Sequence, residues 1–239
     1  MRCFDLFHGK EAGDGFGWDG ACAVFEYGGD FRKNAEAAKR DGRTVGALVF
    51  GDVSENAKKA LDAGADLVFV DGRNEEAART ASESWDVDLI VNPELNGEKD
   101  LVHQRSSGLD HVMASYMAER KIGYVINFSN LLQVTGGRRV QLFGRIMQNI
   151  MLSRRYGVKV VLATGARTRW DVRNPHDMTA LSFFLGLTES EGNHAVSENP
   201  EHFLKKAAGR NDPNIVTSGV EVKSWGRQER KPKRKHGWY

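Results

Sequence analysis

The chain reads as an α/β protein folded as a single (β/α)-barrel of the TIM-barrel kind, and three observations predict it. Short apolar runs alternate with amphipathic, often Ala-rich stretches along the whole sequence. Several runs are nearly continuous in Val, Ile, Leu and Phe, the mark of parallel strands buried on both faces. No Pro/Gly/Ser-rich linker divides the 239 residues, so one barrel domain over 1–222 is expected, followed by a flexible basic tail over 223–239.

Eight runs are candidate strands: CFDLF (3–7), ACAVFEY (21–27), VGALVF (45–50), DLVFV (66–70), DLIVN (88–92), GYVINF (123–128), KVVLAT (159–164) and a weak one at HAVS (194–197). The first crossover, residues 9–20, holds five glycines and is poor helix material, so a loop or a single turn is expected there. Helices are expected over 30–41 and 54–63, the second with Ser54 as N-cap and Gly64 just past its end. Over 107–121, Leu109, Val112, Met113, Tyr116 and Met117 recur at helical spacing, and Ser107 with Asp110 reads as a capping box. Over 138–156, Val140, Phe143, Met147, Ile150 and Met151 fall on one stripe. Asn174 followed by Pro175 opens a helix to about Gly186. From Lys223 onward, seven Lys and Arg stand against a single Glu with almost no aliphatic residue, which reads as a disordered tail.

Composition excludes several classes. Hydrophobic residues are 40% and charged residues 28%, too apolar for a disordered chain. No apolar run approaches the roughly 20 residues that cross a bilayer, and the start lacks a signal peptide, so a cytoplasmic protein is expected. Cys3 and Cys22 are too few for a disulfide framework or a zinc site and read as reduced core thiols. Charge is divided: residues 1–100 carry 12 basic against 21 acidic side chains, and residues 101–239 carry 22 against 11. A split of this size fits a chain whose second half meets a polyanion.

A barrel places its chemistry at the C-terminal ends of its strands. Those positions carry Asp5, His8, Glu26, Asp71, Asn92, Asn127 and Thr164. A phosphoesterase barrel of the polymerase-and-histidinol-phosphatase class would show His-x-His after the first strand, and here the stretch is Asp5-Leu6-Phe7-His8. His103, His111, His176, His194, His202 and His236 are scattered without metal-ligand spacing, so no metal site is expected. The sequence also lacks a nucleophile elbow, a P-loop and a strand-linked dinucleotide fingerprint. Two clusters remain. Arg105, Ser106 and Ser107 precede a helix start and suit either a phosphate or an ordinary cap. Arg167 and Arg169 follow the seventh strand and suit either a phosphate or a solvated loop.

The blocks CFDL, GADLVFVDG, DLIVNPE, RSSGLDHVMASYMAERKIGYVINFSNLL, VVLATGARTRWDVRNPHDMTALSFFLGL and AVSENPEHFLKKAA occur in that order, from the first residues to about residue 208. Taken together they resemble ribonuclease P protein component 3 of archaea. The resemblance implies a barrel similar to the metal-dependent phosphoesterases without their ligands. It also implies a subunit of the ribonucleoprotein that cuts the 5′ leader from precursor tRNA. The RNA subunit would hold the catalytic Mg, and this chain would hold no metal, cofactor or catalytic residue. Its partners would be the ribonuclease P RNA, precursor tRNA and a small RNA-recognition-like protein subunit, with no membrane. The sequence departs from the family at residues 9–17, where the first helix looks shortened, and at Asp110, where Asn is implied. The expected RNA contacts are Arg105, Ser106, Arg138, Arg139, Arg167, Arg169 and Arg173, with Lys231, Lys233, Arg234 and Lys235 in the tail. Trp225 and Trp238 flank the tail charges and are placed to stack on unpaired bases. The alternative is a metal-dependent phosphoesterase of the same barrel class.

Overall fold

Seven of the eight apolar runs become strands, all parallel and hydrogen-bonded in the order of the sequence. The computed structural model describes residues 1–9, 15–97, 99–100, 102, 105–217, 219–226 and 235–236. Along the chain these are β1 (Phe4–His8), β2 (Gly20–Glu26), α1 (Phe31–Arg40), β3 (Thr44–Val49), α2 (Val53–Asp62), β4 (Leu67–Asp71), α3 (Glu75–Ser82) and β5 (Leu89–Val91). A 3₁₀ turn at Pro93–Leu95 leads to α4 (His111–Arg120), β6 (Gly123–Asn127), α5 (Phe128–Gln133), α6 (Gly136–Tyr156) and β7 (Val160–Ala163). Three helices follow, α7 (Pro175–Phe184), α8 (Glu189–Val196) and α9 (Glu198–Asn211), then an antiparallel hairpin of β8 (Ile215–Thr217) and β9 (Val220–Glu221).

The sheet is a nearly closed barrel. Its seam is stitched just past the strand ends, where Gly165 N–H donates to the Phe7 carbonyl at 3.0 Å and Gly9 N–H to the Ala166 carbonyl at 2.6 Å. Leu6, Cys22, Phe69, Leu89, Val125 and Val161 fill the interior, joined by Phe203 and Ala207 of α9, which plugs the N-terminal end. The outer faces of the strands pack under the helices in a second, larger apolar layer. Cys3 and Cys22 are free and buried. No helix among the described residues is long and apolar enough to cross a membrane.

Four expectations need correction. The run at 194–197 is helical: Thr188 and Glu191 form a reciprocal capping box that starts α8, and two apolar residues, Ala195 and Val196, do not outweigh it. The N-cap of α2 is Asp52, not Ser54, because the helix begins early enough to bury Val53 and the Asp52 carboxylate accepts from Glu55 N–H at 3.0 Å. The helix expected from Ser107 starts at His111. Gly108 has φ +79° and sits where a β-carbon would lie 2.0 Å from the Pro93 carbonyl oxygen, so the chain there is a tight loop and Asp110 becomes the cap. Finally, only part of the stripe read on α6 faces the core: Ile150 is buried and Phe143 packs against the core, but the other three members do not. Leu142, Arg145, Ile146, Asn149 and Ile150 face in, while Val140, Met147 and Met151 face out. The helix is rotated because Arg145 and Asn149 bind the loop that follows the 3₁₀ turn.

Candidate nucleic-acid interface

The C-terminal mouth of the barrel carries the strand-end residues as two hydrogen-bonded groups. In the first, the Asp5 carboxylate accepts from the Thr164 hydroxyl and from Thr164 N–H, and His8 Nδ1 lies 3.4 Å from it. In the second, Arg73 straddles Asp71, with Nε to Oδ1 at 2.9 Å and a terminal nitrogen to Oδ2 at 2.7 Å. The same carboxylate accepts from the Asn92 amide at 3.2 Å. Asn92 in turn accepts from Asn127 at 3.3 Å and Asn130 at 2.8 Å. Asn92 adopts the left-handed conformation, φ 59°, which asparagine tolerates better than most residues and which ends β5 sharply. Glu26, at the exposed end of β2, adds its field to that of Asp71 in holding the Arg73 proton more tightly.

The Asp5 and Asp71 carboxylates are spent on protein donors. Among the described residues, no three His, Cys, Asp or Glu side chains are grouped to hold a metal ion. The chemistry left at the rim is positive. Arg167 and Arg169 are exposed on the loop after β7, where Asp171 shapes the turn by accepting from Thr168 N–H at 3.0 Å and the Thr168 hydroxyl at 2.9 Å. Those bonds hold the Asp171 carboxyl below its usual range. Arg169 lies 5.5 Å over the ring of Trp170, which is 80% exposed. Arg173 lies 5.8 Å over Phe128, the first residue of α5, and donates to the Trp170 and Val172 carbonyls at 2.9 Å. Trp18 Nε1 donates to the Arg173 carbonyl at 2.7 Å, tying this loop to the β1–β2 crossover. Arg139 holds the Val134 carbonyl at 2.7 Å, and Arg138 is exposed beside it in the first turn of α6. Five of the expected arginines thus border the ends of the neighbouring strands β6 and β7.

Arg105 and Ser106 lie elsewhere, on a loop clamped to the side of α6. Buried Arg145 donates to Asp100 at 2.9 Å and to the Glu94 and Asn96 carbonyls at 3.0 and 3.1 Å. Asn149 holds the Ser107 carbonyl at 2.9 Å, and Gln148 the Arg105 carbonyl at 3.2 Å. Ser106 N–H donates to Asp100 at 2.9 Å, and its hydroxyl accepts from Asn96 at 3.3 Å. The N-terminus of α4 already holds the Asp110 carboxylate, 2.7 Å from Met113 N–H and 2.8 Å from Arg79. Beneath the clamp, Glu94 is buried with Tyr124 O–H donating to it at 3.0 Å, and burial pushes its carboxyl up to about 7. Lys231, Lys233 and Arg234 lie outside the described residues, as does Trp238; Lys235 is half-buried, and Trp225 Nε1 donates to Asn214 at 2.9 Å. Arg73, Trp170 and Arg145 were not foreseen. Asp-x-Arg at a strand end was the available signal for the first.

Residues 47–212 match the family model RNase P subunit p30. The chain belongs to the p30 family. Over 157 residues this p30-family chain is 34% identical to Ribonuclease P protein component 3 of Methanosarcina acetivorans, an alignment covering 66% of this chain and 62% of that relative's length. Over 216 residues it is 26% identical to Ribonuclease P protein component 3 of Methanococcus maripaludis, covering 87% and 90% of the two chains. Its fold matches that of a chain in the cryo-EM structure of archaeal Ribonuclease P with mature tRNA, with TM-score 0.76 and 21% identity over 94% of this chain and 100% of that one. The p30 match runs from β3 to the end of α9, and therefore contains the Asp71–Asn92–Asn127 group and all five arginines of the rim.

Proposed function

We propose that this chain is a protein subunit of ribonuclease P, the ribonucleoprotein that removes the 5′ leader of precursor tRNA, and that it binds RNA without performing the cleavage. The observation that carries the reading is the family match over residues 47–212 on a barrel whose buried mouth carboxylates, Asp5 and Asp71, are tied to protein donors while its rim presents arginines. Arg138, Arg139, Arg167, Arg169 and Arg173 meet phosphates, for which a planar guanidinium fork is suited, and Trp170 offers a stacking face beside them. Arg105 and Ser106 extend the contact along α6. Lys231, Lys233, Arg234 and Lys235 add sequence-independent attraction to a polyanion. The catalytic Mg belongs to the RNA subunit, and a small RNA-recognition-like protein subunit is the protein partner.

Reconstitution tests the reading. Precursor tRNA is incubated with the RNA subunit and the other protein subunits, with and without this chain, and with this chain alone. Cleavage that needs the RNA and falls when the chain is omitted is the expected result. Cleavage by the chain alone, with Mn or Zn retained after purification, would replace the reading with a metal-dependent phosphoesterase.

A further inference from the structure

The foot of the barrel, opposite the arginine rim, gathers a second set of cations. Strands β6 and β7 are parallel neighbours, so the residues just before them lie side by side. Lys121 stands shortly before β6 and Lys159 immediately before β7, and Tyr124 N–H donates to the Lys159 carbonyl at 2.9 Å. Lys121 ends α4 in the left-handed conformation, φ 56°, and both lysines are exposed. Helix α9 crosses the same end. Its His202, Lys205, Lys206 and Gly209 recur at helical spacing and share one face. That face, with Lys121 and with Ile215 and Glu221 of the terminal hairpin, encloses a cleft of about 250 Å³.

Carboxylates do not balance these cations. Asp88 is shared by Lys206 and Arg210, all three side chains being buried, so two positive charges meet one negative and the field leaving the foot is positive. Lys205, 73% exposed, lies 3.4 Å from Glu201, which also takes Arg2. Glu221 is the acid of the cleft lining. No carboxylate among the described residues pairs with Lys121 or Lys159. His202 Nε2 is buried and has no hydrogen-bond partner among the described residues. Burial, and then the ammonium groups of Lys159, Lys206 and Lys121, hold the His202 ring below its usual pKa, with Asp88 acting against them. The ring therefore sits in the field of three lysines with one polar atom unmet. A buried polar atom of that kind calls for a partner. With its proton on Nε2 the ring donates to an anion, and a second proton adds a charge to the attraction. Phosphate suits the place better than a carboxylate, because its oxygens point to several sides and lysines converge on it as point charges from flexible stems.

We propose that the cleft at the foot of the barrel binds a phosphate group between Lys121, Lys205 and His202, with Lys159 beside it and the Asp88 group as a positive floor. The phosphate is carried by the backbone of an RNA strand or is free in solution. The first source rests on the reading of the chain as a subunit of ribonuclease P, and gives it RNA contacts at both ends of the barrel.

The test follows the His202 ring of the full chain by heteronuclear NMR, its signal assigned with His202→Asn. Inorganic phosphate is titrated against chloride at matched ionic strength. The His202 signal should shift saturably, and the ring should titrate at a higher pH in phosphate than in chloride, because a bound anion favours the imidazolium. In Lys121→Gln/Lys159→Gln the phosphate affinity should fall at least about tenfold. Its melting temperature should not change, since neither ammonium has a carboxylate to lose. The RNA subunit of ribonuclease P is the second probe. If an RNA strand supplies the phosphate, the double variant flattens the slope of log affinity against log salt by about one for each lysine removed. A wild-type slope in the variant, beside a saturable shift with inorganic phosphate that the variant loses, assigns the cleft to free phosphate. An unmoved His202 signal with an unchanged slope overturns the site and leaves the subunit reading standing. So does phosphate binding that the double variant does not weaken, which places the anion elsewhere. A wild-type chain that binds no RNA overturns the subunit reading and leaves the phosphate titration to decide the site.

Discussion

The two ends of the barrel use the same pair of residue types to opposite effect. At the foot, Asp88 holds Arg210 through bonds of 2.7 and 2.5 Å and Lys206 at 2.9 Å, and accepts from Val68 N–H at 2.9 Å. All three side chains are buried, the two cations reaching Asp88 from α9. At the mouth, Asp71 is equally buried, but its Arg73 side chain is 56% exposed. A cation enclosed with its carboxylate is committed to structure, whereas one left facing water keeps a hydrogen-bonding edge for a partner. The acid is the constant, and exposure of the base separates scaffold from surface.

Five substitutions sharpen that contrast. The largest effect belongs to Asp88→Asn, which leaves two buried cations without their carboxylate and should cost about 3–5 kcal/mol in urea unfolding. Burial pulls the Asp88 carboxyl up, but Arg210 and Lys206 outweigh it and hold it well below its ordinary 3.8. Its contribution is therefore present above about pH 4 and lost as pH falls below that, a loss the variant should not show. A variant as stable as the wild type at pH 7 would mean that α9 is held mainly by Phe203.

Glu94→Gln comes next, and its sign is reversed. Because the folded carboxyl titrates near 7 instead of the ordinary 4.5, the folded state keeps a proton that the unfolded state releases between those values. Wild-type stability should fall by about 3 kcal/mol as pH rises through that window and then level off. Unfolding curves for the Gln variant at pH 5 and pH 8 should lack the slope, and a retained slope would place it on another group.

Gly165→Ala tests the mouth itself. At φ +61° its new methyl would stand 1.8 Å from Asn127 Oδ1, so the Asn127–Asn92 contact must break and the seam beside Phe7 must shift. The strain and overpacking should cost about 2 kcal/mol, readable as a lowered melting temperature. A neutral result would show that the asparagine group yields easily.

The smallest effect on stability, within about 0.5 kcal/mol, is expected for Arg167→Ala and Arg169→Ala, because both side chains face water. Each should reduce the slope of log affinity against log salt for RNA by about one. An unchanged slope would remove that arginine from the interface.

Much of this was readable in the chain and some was not, for physical reasons. The seven parallel strands announce themselves because a parallel strand buried on both faces has no polar alternation to obscure it. The rim arginines were legible because they cluster in loops after strands whose ends the fold class fixes. The short HAVS segment at 194–197 misled because periodicity cannot separate a short strand from a helical turn, and the deciding signal, Thr188 with Glu191, lies several residues upstream. That Val140, Met147 and Met151 of the α6 stripe face outward was not legible, for a deeper reason. The rotation of the helix is set by Arg145 and Asn149, polar residues that a hydrophobicity reading places outside but that the clamped loop draws in. The Asp71–Asn92–Asn127 group joins three separate strand ends and has no local signature.

The clamp also gives α6 a role as a measuring rod. At about 1.5 Å per residue, its 21 residues extend about 30 Å, from Arg138 and Arg139 at the rim to Arg155 at the far end. No proline interrupts it, and at Gly144, its only interior glycine, the Arg105 side chain lies across the backbone like a splint. A strut without a hinge fixes a separation. Any ligand at Arg138 and Arg139 and any ligand at Arg155 would be held at a constant offset and angle, so a shift of one would carry the other by the same displacement.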